Sequence, residues 1–118
     1  MKRYQIPLTI FERISIPDIL PKTAKYEVGI VVRDLREKIS LTQDEIVQLE
    51  VKTQDVKDGG QFVQWNETKA KSKPFDLTQL EFELIKGNLV SLNEKGELST
   101  DPRWLALFEK ITTAKPTK

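Results

Sequence analysis

The sequence predicts an α+β fold: helices flanking a small antiparallel β-meander of two or three strands. Three observations predict it. Threonine–x–x–glutamate spacings recur at Thr9/Glu12, Thr42/Glu45 and Thr78/Glu81, each ahead of an apolar run. Two apolar faces repeat at helical spacing near the C-terminus, over 80–92 and 104–111. Between the helical stretches, period-two alternation appears at Val47, Leu49 and Val51 and again in GQFVQWN.

In chain order, Thr9 accepts from an orphan backbone N–H and Glu12 reaches back, the reciprocal capping box that opens a helix. Ile10, Phe11 and Ile14 supply its apolar face, and Pro17 is expected to end or kink it near Ser15. A further turn from Ser15 would close at Pro21. Val28, Val31, Val32, Leu35 and Ile39 then repeat at helical spacing, with Arg33–Glu37 and Asp34–Lys38 as i,i+4 pairs. They predict a helix over about 24–39. Tyr26–Val32 is β-branched and contains Gly29, so a strand there, with the helix starting near Arg33, is the other reading. A short helix follows Thr42, then a strand over 47–51.

After a loop over 55–60, Gly60–Asn66 reads as a second strand. In KDGGQFVQWN, no GK[ST] and no helix follow the glycines, so a phosphate loop is not indicated. Gly59 or Gly60 at positive φ in a hairpin turn fits better. Asp55 and Asp58 lack the oxygen-ligand alternation of a calcium loop. Residues 71–75 add a third strand, placed at an edge by Pro74. Thr78 opens the clearest helix, with Leu80, Leu84, Ile85, Leu89 and Leu92 on its face and Gly96 as its stop. Asp101 caps the last helix, Pro102 takes its first position, and Trp104, Leu105, Phe108 and Ile111 form its face. No internal repeat is evident. One globular domain is expected over 1–112, with a flexible basic tail over 113–118.

The chain's 118 residues include 31% charged and 38% hydrophobic residues, as in a soluble globular protein. Nineteen Lys and Arg against 18 Asp and Glu give a net charge of +1 and no global pull toward nucleic acid or membrane. Without cysteine there is neither a disulfide nor a thiolate site, and without histidine the commonest acid/base and zinc ligand is missing. No metal, cofactor or catalytic residue is expected, and the chain reads as a non-enzyme. Asp44/Glu45 and Glu81/Glu83 are explained as acidic residues favourable to a helix dipole. The apolar N-terminal run is broken by Glu12 and Arg13, no signal peptide or membrane span is expected, and the expected location is cytoplasmic.

Two surfaces stand out. Phe62 with Lys69, Lys71 and Lys73 would place cations beside aromatics, as single-strand binders do, if 69–73 is extended. Lysines that protect a sheet edge explain the same pattern. Trp65, Trp104 and Phe108 are candidate partner contacts, against the plain alternative that they fill the core.

The runs LTIFERISIPDILPK and VVRDLREKISLTQDE resemble a family of small uncharacterised proteins encoded by bacteriophages and prophages. Glu12, Arg13, Ile19, Leu20, Pro21, Leu35, Arg36, Glu37, Trp65 and Phe108 carry the likeness, and Pro17 departs from it. The resemblance implies a phage-type origin and brings no catalytic residues. The expectation is therefore a small non-enzymatic accessory protein acting through protein–protein contact: self-assembly, or binding of a host or viral partner, an inhibitory role included. The alternative is a nucleic-acid-binding module using the 59–73 hairpin region.

Overall fold

The computed structural model describes residues 2–55 and 61–117, side chains of 54, 55, 61 and 62 excepted. The elements in order are β1 (Arg3–Leu8), α1 (Ile10–Ile19), α2 (Tyr26–Ile39), α3 (Gln43–Gln48), β2 (Lys52–Asp55), β3 (Gln61–Gln64), β4 (Lys73–Thr78), α4 (Gln79–Glu94) and α5 (Pro102–Thr113). The α+β class holds, but the strands do not form one meander. They make two separate two-stranded antiparallel sheets, β1 with β4 and β2 with β3. The chain divides into two compact units, 1–40 with 72–118, and 41–71.

In the larger unit, β1 alternates: Tyr4, Ile6 and Leu8 are buried while Gln5 and Pro7 face out. Phe75 and Leu77 do the same on β4. Pro7 lies opposite Pro74. Neither has an N–H, so this must be a non-hydrogen-bonded pair, and the alternation puts the ladder's bonds on the buried Tyr4, Ile6 and Leu8 pairs. The two prolines thus sit where they cost no ladder bond.

Ile6 pairs with Phe75, and a local two-fold runs through that pair. Each strand leads through Leu–Thr into a helix: Leu8–Thr9 into α1, Leu77–Thr78 into α4. Each threonine accepts from a glutamate N–H, Glu12 at 3.1 Å and Glu81 at 3.2 Å. Each glutamate returns a bond to its threonine N–H at 2.9 Å. The next helix of each half then crosses to the other half. Lys38 of α2 donates to Glu81 at 2.5 Å and to the Asp76 carbonyl at 3.0 Å. Lys110 of α5 donates to Glu12 at 2.5 Å and to the Pro7 carbonyl at 2.9 Å. The lysines stand in matching runs, LREKI (35–39) and LFEKI (107–111). Leu35, Ile39, Leu107 and Ile111 are fully buried. The larger unit is therefore an internal strand–helix–helix duplication, which corrects the expectation of no repeat.

The core of this unit gathers residues from β1, β4 and all four of its helices, with Tyr4 stacked on Phe82 at 3.8 Å. Arg13, 3% exposed, bonds the Ile39 and Ser40 carbonyls at 3.0 and 2.9 Å and so caps the C-terminus of α2. Its guanidinium also lies 5.0 Å from the Phe75 ring centre. Pro17 does not end α1, which continues to Ile19. Ile16 and Leu20 are buried on either side of it, and their burial offsets the lost backbone bond. Residues 26–39 are helix rather than strand. The paired charges there differ from expectation: Arg33 contacts Asp34 at 3.2 Å, and Lys38 goes to Glu81 instead of Asp34. At the far end Thr117 N–H bonds the Arg3 carbonyl at 2.8 Å.

The 41–71 unit holds α3, β2 and β3. The strand expected over 47–51 is instead the end of α3 and a turn. The Thr42/Glu45 capping box starts a helix, and Leu49 N–H bonds Glu45 O at 2.9 Å. Glu50 then takes φ 55°, and Val51 N–H returns to Ile46 O at 3.1 Å. A local hydrogen-bonded cap outweighs an alternation only three apolar residues long. The hairpin turn expected at Gly59 or Gly60 lies outside the described residues. The flanking register, Asp55 opposite Gln61, is that of an antiparallel hairpin.

Candidate functional site

The aromatic candidates fall in different units. Trp104 and Phe108 are half-buried and pack against the core of the larger unit. Trp65 belongs to the 41–71 unit, where its indole N–H is buried with no hydrogen-bond partner among the described residues. The Phe62 side chain lies outside what is described. The condition for a lysine row, an extended segment over 69–73, is not met. Lys69 sits in a turn, 3.7 Å from Glu50. Lys71 is in irregular chain, and Lys73 opens β4 with its ammonium 5.6 Å from the Phe75 ring centre. Among the described residues no cluster of acidic groups has metal-site geometry, and no helix is long and apolar enough to cross a membrane.

The internal two-fold reveals a surface the sequence reading missed, because it is broken on the α4–α2 side. On the α1–α5 side, Phe11 is covered. Trp104 packs nearly perpendicular to it at a centroid distance of 5.7 Å, and the Arg103 guanidinium lies 4.1 Å over its face. Arg103 is held there by Asp101, with contacts of 3.2 and 2.9 Å. Those bonds, with the Arg103 N–H donating to the same carboxylate, hold the Asp101 carboxyl below its ordinary pKa.

On the α4–α2 side the corresponding residues are smaller. Leu80 stands where the other half has Phe11, two residues past the capping threonine. Val31 and Val32 stand where it has Arg103 and Trp104, counted back from Leu35 and Leu107. Two valines do not reach across as an arginine and an indole do. A groove of about 360 Å³ is left, walled by Val28, Val31, Leu80 and Leu84. Leu80 stays 57% exposed and Val28 40% exposed. Glu27 and Glu83 line the same groove, and Glu83 accepts from the Gln79 amide at 3.0 Å. Tyr26, 78% exposed, opens α2. The cleft is apolar with an acidic margin. It can take apolar side chains and attract the cations next to them.

The signal for this surface was present in the sequence as Tyr26, Val28 and Leu80 at the starts of two helices. Periodicity assigned Val28 and Leu80 to buried faces, and only the packing shows that the covering residues are absent. Comparison of the chain with protein-family models, with curated proteins and with solved structures finds no match.

Proposed function

We propose that the protein is a non-enzymatic protein-binding module whose α2–α4 groove receives an apolar segment of a partner. The exposed Leu80 carries this reading, because its counterpart Phe11 is covered by the chain's own Arg103 and Trp104. The covered side indicates the partner's chemistry: an aromatic or large aliphatic side chain beside a basic one, the latter meeting Glu27 and Glu83. A host or viral protein is the partner expected of a phage-type accessory role.

Leu80→Asp tests it. The side chain is largely in solvent, so the fold should persist with a stability change within about 0.5 kcal/mol. A partner retained from host lysate by the wild-type protein should be lost on Leu80→Asp and kept on Val47→Asp, a control at a 67% exposed position on α3. Light scattering on the same proteins shows whether the partner is a second copy. Equal retention by both variants, with no change in assembly, defeats the reading.

A further inference from the structure

The same duplication is broken a second time, on the other flank of α2. Helix α4 runs for 16 residues and packs along α5, whereas α1 stops after 10. Pro21 cannot continue a helix, and the chain instead crosses to α2 through 20–25 as extended and bent backbone. The shorter helix leaves a recess of about 370 Å³ between this crossing and α2.

Pro21, Ala24 and Val32 are the apolar side chains of its lining. Its charges are mostly positive: Lys22 from the crossing, Arg33 and Arg36 one turn apart on α2, with Glu37 the one acidic residue among its lining. Arg33 is engaged with its neighbour Asp34, both more than half exposed, a contact of small energetic weight. Arg36 has a carbonyl contact, to Pro17 at 3.4 Å, and neither Arg36 nor Lys22 forms an ion pair among the described residues. Gly29 leaves one wall bare, since a Cβ built there meets nothing within 4 Å. A flat group can therefore approach the helix backbone at that point. The other half has no such site, because Leu105 and Phe108 stand where α2 has Arg33 and Arg36.

We infer that this recess is a binding site for an oxyanion, a phosphate or carboxylate group, carried by a molecule whose apolar part lies against Gly29 and Val32. Two arginines one turn apart on one helix, with a lysine from the crossing in the same lining, suit a group that accepts several charge-assisted hydrogen bonds at once. The site is separate from the α2–α4 groove and does not depend on what the groove binds.

Adenosine monophosphate, adenosine and N-acetylaspartate titrated into the 15N-labelled full chain at low salt test the inference. Adenosine monophosphate should shift the amides of Gly29, Arg33 and Arg36 saturably, while adenosine should not. Arg33→Gln/Arg36→Gln should weaken binding by about tenfold or more. Gly29→Leu keeps every charge and favours the helix, and should block the apolar part. Tighter binding of N-acetylaspartate than of the nucleotide assigns the carboxylate as the natural group. Leu80→Asp should bind as the wild type does, which separates this site from the groove. No saturable shift with either anion, shifts confined to other residues, or unchanged affinity in the double arginine variant each overturns the inference.

Discussion

The two crossing lysines offer the most direct test of the duplicated architecture. Glu81 is 5% exposed and Lys38 29% exposed, and the carboxylate also takes the Thr78 N–H. Lys38→Met keeps the apolar stem and removes the charge, leaving a buried carboxylate with one remaining bond. Breaking a fully buried pair costs about 3–5 kcal/mol. The surviving cap bond and the partial exposure of Lys38 reduce that to about 2–3 kcal/mol. Glu81→Gln should cost about 1–2 kcal/mol, because the amide oxygen still caps and Lys38 keeps the Asp76 carbonyl. The double variant removes both charges together, so the pair should show a coupling of about 1.5 kcal/mol. Urea unfolding followed by circular dichroism measures this, with unchanged slope as the control for an intact fold. The Lys110–Glu12 pair, with Glu12 3% exposed, repeats the geometry and should give a coupling within about 1 kcal/mol of the first. Additive single-variant costs at both pairs would refute the claim that these lysines bind the two halves together.

Two glycines should respond with opposite signs. Gly87, inside α4 with open space around it, should gain about 0.5–1 kcal/mol on substitution by alanine. Gly96, at φ 69° after α4, should lose about 1 kcal/mol on the same change. Asp101 predicts a pH dependence. Its folded pKa is depressed by hydrogen bonds from Arg103, so its stabilisation is fully present above the unfolded carboxylate pKa and is lost as pH falls through the folded one. The difference in Tm between wild type and Asp101→Ala should therefore be full at neutral pH and shrink in acid. A gap that widens on acidification contradicts that assignment.

Much of the helical layer was legible because its signals are local. The capping boxes at Thr9, Thr42 and Thr78, the Asp101–Pro102 start and the Gly96 stop each depend on residues within four positions of one another. β1 was not legible. Its outward Pro7 is accommodated by Pro74 opposite it, and that partner is remote in sequence. The repeat was hidden for a related reason. Its two halves share Leu–Thr–x–x–Glu and Leu–x–Glu–Lys–Ile, but the separation between the motifs differs and a whole unit, 41–71, lies between the halves. Of the proposed contact residues, Trp104 and Phe108 pack on the core, the plain alternative that their spacing on one helix face allowed.

Composition and short-range spacing alone determined the α+β class, the capped starts of α1, α3, α4 and α5, and the absence of histidine and cysteine chemistry, because each is a property of one stretch of chain. Tertiary structure decided which strand pairs with which, where Lys38 and Lys110 discharge their charge, and which faces of α2 stay open. Exposure at Leu80, Gly29 and Arg36 depends on the size and reach of residues elsewhere: valines where the other half has arginine and tryptophan, and a helix halted by proline where its counterpart runs on. Such absences are defined only by what packs beside them, and so they appear in the folded chain and not in the sequence.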